Sequence, residues 1–192
     1  MNTSFVFLAN GFEEVEALTT IDIMRRAGME VVTVSINDTL EAEGAHGVTV
    51  KADALISEVN LNNAVWLICP GGMPGASNLA ACKPLTNALI AQNSKGGKIA
   101  AICASPSVIF GPLGLLEGKH AVCYPGMERG MTGAIVGYTP VAIDGNIVTG
   151  NGPAAASAFG FAIVQESKGK EVARQVAEGM LFYDKLKEEF YF

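Results

Sequence analysis

Short runs of β-branched and aromatic residues alternate along this chain with stretches whose apolar positions recur at helical spacing, the pattern of an α/β fold with a mostly parallel sheet. Ser4–Leu8 reads as a first, buried strand. The turn at Asn10-Gly11 then leads into a helix with Glu13-Glu14 in its first turn, at the positive end of the helix dipole. That helix is predicted to place Val15, Leu18, Ile21, Ile23 and Met24 on an apolar face, to carry Arg25-Arg26 in its last turn and to stop at Gly28. Glu30–Ser35 is the next strand, and Val48–Ala52 reads as one arm of a peripheral hairpin in which Gly44 and Gly47 relieve the backbone. The central strands are clearest: Ala64–Cys69 runs directly into Pro70-Gly71-Gly72, and Lys98–Ile102 runs directly into Cys103. Ser77–Ala81 and Pro84–Asn93 read as helices between them. Val141–Ile143 and Ile147–Thr149 flank the turn Asp144-Gly145-Asn146, and helices at Ala154–Glu166 and Lys170–Lys187, broken at Gly169, close the chain.

Composition narrows the picture. A length of 192 residues with 49% apolar content predicts one compact domain over positions 1–192. A formal charge of −6, with no Lys/Arg cluster longer than a pair, offers no footprint for nucleic acid or an acidic membrane surface, so neither is an expected partner. The apolar run Phe5–Ala9 has no basic flank and is followed by Glu13, Glu14 and Glu16, and no later stretch is long enough to span a bilayer; a cytoplasmic location is expected. Cys69, Cys82, Cys103 and Cys123 are widely spaced, with no C-x-x-C pair and no His/Cys spacing suited to zinc, which predicts free thiols and neither metal nor cofactor.

The most informative segment is Ala100-Ala101-Ile102-Cys103-Ala104-Ser105-Pro106. Cys103 leaves an apolar strand, and Ser105-Pro106 has the form of an N-cap followed by proline at the first helical position. Such a strand-turn-helix presents a nucleophile at the carboxyl edge of the sheet and aims free N–H groups at it, so a thiol there is expected to have a lowered pKa. The rival reading is that cysteine is a small apolar residue that packs well at a strand end. Beside it, Gly71 and Gly72 offer unhindered backbone N–H groups that suit a developing oxyanion, and Ala104 belongs to the same set.

Four segments together resemble the ThiJ/PfpI family, the DJ-one superfamily of the class I glutamine amidotransferase-like fold. They are Leu8–Glu16, Asp22–Gly28, Pro70–Ala76 and Ala100–Pro106, with Gly152-Pro153 as weaker support. The resemblance implies a flavodoxin-like three-layer α/β/α sandwich with a mostly parallel central sheet and a peripheral hairpin, assembled as a homodimer. It also implies a site in which Glu16 is hydrogen-bonded to the sulfur of Cys103, the carboxyl acting as acid and base. This sequence departs from the family by lacking a histidine beside the cysteine: Ala104 follows it, and Tyr124 stands where relatives carry a histidine on a later strand. His46 falls where close relatives have an arginine near the partner subunit's pocket, with a solvated loop histidine as its plainer reading; for Arg26, reaching the pocket across a dimer interface and capping its own helix both stay open.

The resulting expectation is a cofactor-independent glyoxalase or deglycase acting on a small aldehyde substrate such as methylglyoxal, or on its adducts, through Cys103 and Glu16. Alternatives from other classes are a redox sensor or holding chaperone that uses an oxidisable Cys103, and a PfpI-like peptidase or amidase. The thiamin (thiazole phosphate) biosynthesis suggested by the ThiJ label has no phosphate-binding motif to support it here.

Overall fold

A computed structural model describes residues 3–182. Seven strands form the central sheet: β1 (Thr3–Leu8), β2 (Glu30–Ser35), β5 (Ala54–Leu55), β6 (Trp66–Cys69), β7 (Lys98–Ile102), β10 (Val141–Asp144) and β11 (Ile147–Gly150). Their spatial order is β10-β11-β7-β6-β1-β2-β5, and every pair is parallel except the β10–β11 hairpin. β1, β6 and β7 are apolar throughout because both sheet faces are covered. One layer holds α1 (Glu14–Arg26), α4 (Ala156–Lys168) and α5 (Lys170–Gly179), packed on Val6, Ile68, Ala100 and Ile102; the other holds α2 (Gly75–Ala81) and α3 (Lys83–Ser94), packed on Phe5, Phe7, Leu67 and Ala101. Two small sheets lie outside this sandwich: β3 (Glu41–Glu43) with β4 (Thr49–Lys51), the expected hairpin, and β8 (His120–Ala121) with β9 (Ile135–Val136).

The chain order reverses between β1 and β6. Successive strands run outward from β1 through β2 to β5 on one side, and from β6 through β7 to β11 on the other. In open α/β sheets the crevice beyond the strand ends at such a reversal is where ligands bind.

Three local expectations need correction. Val15 and Leu18 do not face the core: they are 51% and 39% exposed, while Glu14, Glu16, Ala17, Thr20, Ile21, Ile23 and Met24 form the buried face of α1. The helix is rotated because its first turn must send two carboxylates inward, which pushes the neighbouring apolar positions to the outside. Ser105 does take the N-cap position with Pro106 behind it, but it has helical backbone angles, makes no capping bond and donates its hydroxyl to Pro70 O, and the segment that follows, Pro106–Phe110, is a π-helical turn. The last helix ends at Gly179 rather than Lys187, and positions 183–187 of that expectation lie outside the described residues. Among the described residues no helix is long and apolar enough to cross a membrane.

Candidate functional site

Three strand ends converge at the reversal point. From β1, the turn at Asn10-Gly11 delivers α1, and Glu13 caps that helix by accepting a hydrogen bond from Glu16 N–H at 2.7 Å. From β6 comes Pro70-Gly71-Gly72, tied to the first loop by Glu13 N–H donating to Gly71 O (3.0 Å). From β7 comes Cys103, whose N–H donates to Gly150 O (2.9 Å) and whose carbonyl accepts from Tyr124 N–H (2.8 Å). Cys103 has φ of 64°, a left-handed conformation that a non-glycine residue adopts at a cost of roughly 1–2 kcal/mol. The sharp turn of the nucleophile elbow is therefore present, although the regular helix expected after it is replaced by the π-helical turn.

Glu16 is fully buried, and its Oε2 accepts a hydrogen bond from Gly71 N–H at 2.8 Å. Close approach requires glycine there: a Cβ on Gly71 would lie 2.6 Å from Cys103 Cβ and 2.7 Å from Glu16 Oε2. Burial pushes the Glu16 carboxyl up from 4.5 to about 7, against the opposing pull of its hydrogen bonds with Cys103 and Gly71. Burial also pushes the Cys103 thiol up, to about 12, together with the adjoining Glu16 carboxylate, while the N–H groups of Gly72 and Ala104 pull it down. The lowered thiol pKa expected from the strand-turn-helix pattern is thus reversed, because desolvation and a neighbouring negative charge outweigh two backbone donors. Near neutral pH the thiol keeps its proton while the carboxyl is partly ionised. A carboxylate that protonates near pH 7 is well matched to accepting that proton as the sulfur attacks.

The other expected site residues separate clearly. Gly72 and Ala104 direct their N–H groups at the Cys103 sulfur, whereas the Gly71 N–H is engaged by Glu16 and is not available to an oxyanion. Tyr124 sits next to Cys103 through its backbone and leaves its side chain half-exposed beside Gly152. Arg26 is ten residues from Glu16 along α1, about 15 Å at 1.5 Å per residue, and pairs with Asp22 on the surface at 2.6 Å. It plays no part in the site that this chain forms by itself. His46, mostly exposed, does not reach Cys103 either; its N–H and Nδ1 lie 2.6 and 2.7 Å from the two carboxylate oxygens of buried Glu14. Burial pushes Glu14 up, but these bonds outweigh it and hold the carboxyl below its ordinary value, while the same contact raises the imidazole. Glu14 therefore fastens the β3–β4 hairpin tip to the start of α1, a role hidden in the sequence behind its reading as a first-turn acid. The spacing of Glu13 three residues before Glu16 was the signal available for the capping bond.

Residues 3–166 match the DJ-1/PfpI family model. The chain belongs to the DJ-1/PfpI family. Within it, DJ-1 homologues B and A of Arabidopsis thaliana are 39% and 36% identical over 88% and 99% of this chain, which spans only 39% and 49% of their length. The structure of oxidized Toxoplasma gondii DJ-1 superposes with a TM-score of 0.91 at 38% identity, covering 95% of this chain and 99% of that one. A Caenorhabditis elegans relative named as a glutathione-independent glyoxalase is 31% identical over 83% of this chain and 84% of its own. The family resemblance and the α/β sandwich expected from the sequence both hold, with an antiparallel β10 at the edge of an otherwise parallel sheet.

Proposed function

We propose that this protein is a cytoplasmic, glutathione-independent glyoxalase/deglycase-type enzyme acting on small α-oxoaldehydes or their adducts, with Cys103 as nucleophile and Glu16 as its acid/base partner. The observation that carries the reading is the buried carboxyl with a pKa of about 7 set against a thiol at the sheet edge. The glyoxalase name of the C. elegans relative supports it. At 8% exposure Cys103 admits a compact substrate and little more. In this scheme the sulfur adds to the aldehyde carbon of methylglyoxal while Glu16 takes the thiol proton and returns one to the oxygen, giving a hemithioacetal. Glu16 then removes the hydrogen on that carbon, and a proton is delivered to the adjacent carbon through an enediol, leaving a lactyl thioester. Water cleaves the thioester, releasing lactate and restoring the thiol. The N–H groups of Gly72 and Ala104 stabilise charge on sulfur during the first step. The half-exposed Tyr124 stands at the mouth of the site in place of the family histidine, where its hydroxyl can donate to a substrate oxygen.

The test is lactate formation from methylglyoxal without glutathione, with Cys103→Ser as comparison. Turnover by the wild type that falls to background in Cys103→Ser is expected; a folded, reduced wild type that forms no lactate rejects this substrate class.

We further propose that the protein is a homodimer joined through the outer face of α1 and the adjoining hairpin, where Val15, Leu18 and Val48 are exposed together with the mostly exposed His46. Light scattering is expected to give twice the chain mass of 20.0 kDa for the wild type and the chain mass for Leu18→Glu. A monomeric wild type overturns the assignment.

A further inference from the structure

We propose that Ser105 is a positioning residue for Glu16: by donating its hydroxyl to Pro70 O it fixes the Pro70–Gly71 peptide, whose N–H holds the carboxylate beside Cys103. The inference rests on the Cys103–Glu16 reading above.

The two peptides of the loop after β6 are each gripped at both ends. Pro70 O and Gly71 N–H belong to one planar trans peptide, so they point in opposite directions and turn together. The oxygen accepts from the fully buried Ser105 hydroxyl, two residues beyond the nucleophile, and the N–H donates to Glu16 Oε2 at 2.8 Å. In the next peptide, Gly71 O accepts from Glu13 N–H at 3.0 Å and Gly72 N–H is directed at the Cys103 sulfur. That second grip is made by backbone at its carbonyl end, whereas the first depends on one side chain. Among the described residues no backbone N–H donates to Pro70 O, and the β6–β7 pairing stops at Cys69. Gly71 has no side chain to limit rotation of the peptide. Without the Ser105 hydroxyl a buried carbonyl lacks a donor, and the peptide is free to turn its N–H away from Glu16.

The direction of the effect follows from the charge. The Gly71 N–H favours the ionised carboxylate, against the burial that pushes Glu16 up to about 7, so loosening it raises the pH at which Glu16 ionises. The titratable groups that act on Glu16 are Cys103 from the end of β7 and Glu13 from the helix cap. On the hairpin, His46 is engaged with Glu14. α2 carries no charged residue, and Glu166 and Lys168 of α4 sit in its last turn, where Lys168 reaches Gly28 O at the opposite end of α1.

The experiment follows the Gly71 amide proton shift across pH in ¹⁵N-labelled wild type, Glu16→Gln, Ser105→Ala and Ser105→Thr. The wild-type shift is expected to inflect near pH 7, and Glu16→Gln to lose that inflection. Ser105→Ala, which removes one buried oxygen, is expected to move it upward by about one pH unit. Ser105→Thr keeps the hydroxyl and is expected to titrate with the wild type. An inflection unmoved in Ser105→Ala, or moved as far in Ser105→Thr, overturns the role of Ser105 while leaving Glu16 and Cys103 as they are. An inflection that survives Glu16→Gln overturns the reading of Glu16 and the inference with it. Lactate formation plays no part in this measurement, so failure of the substrate assignment alone leaves the positioning role standing.

Discussion

At about pH 8 the Glu16→Gln variant is expected to melt higher than the wild type while losing roughly 10²–10⁴-fold of kcat/KM, the usual contribution of a positioned acid/base group. The loss of rate follows because an amide cannot accept the Cys103 proton. The gain in stability follows from linkage. Burial lifts the Glu16 pKa from 4.5 to about 7, so between those values the folded chain keeps a proton that the unfolded chain has released. Stability from this group is fully present below the unfolded value and is lost as pH rises through the folded one. Above pH 7 the ionised, buried carboxylate costs on the order of 3 kcal/mol. Glutamine never ionises, and its carbonyl oxygen can still accept the Gly71 N–H. Thermal melts of both proteins from pH 4 to 8 check this: the curves are expected to converge at the acid end and separate toward pH 8. A variant that is less stable at pH 8 would show that Glu16 is not held in a desolvated pocket.

A second large effect is expected at Gly72. Its φ is +87°, and a Cβ there would lie 2.4 Å from Glu13 N, 2.5 Å from Gly11 O and 2.6 Å from Phe12 C, all backbone atoms that cannot swing aside. Gly72→Ala therefore combines left-handed strain with overpacking and is expected to destabilise by about 3–5 kcal/mol. Gly28, which ends α1 with a φ of +68°, has nothing within 4 Å of such a Cβ, and Gly28→Ala should cost only about 1–2 kcal/mol from the backbone conformation. Urea midpoints of the two variants provide the comparison. Equal losses would mean that the β1 and β6 loops do not pack as closely as described.

The strands were legible because β1, β6 and β7 are short, continuously apolar and bounded by turn residues, so their periodicity and their ends agree. Cys103 was legible for a related reason: it follows such a strand without a break. What the sequence hid was orientation. Val15 and Leu18 satisfy helical spacing as well as Ile21 and Met24 do, and no pattern of apolar residues reveals that Glu14 and Glu16 take the inward positions instead. Carboxylates are buried here only because donors arrive from distant segments, Gly71 from 55 positions away and His46 from 32. The thiol pKa departs from the local expectation for the same reason. The two backbone donors near Cys103 can be read from a local motif, but the desolvation and the carboxylate that outweigh them come from tertiary packing.

The two-sided core has one more consequence, for repair. Cys103 packs in the layer of α1 and α4, while Cys69 and Cys123 pack in the opposite layer, across the sheet. Side chains that diverge on either side of a sheet cannot be bridged without moving backbone. If peroxide converts Cys103 to a sulfenic acid, Cys69 on the opposite face of the sheet is not placed to condense with it, and an external thiol that reduces it has to be small enough to enter where the substrate does.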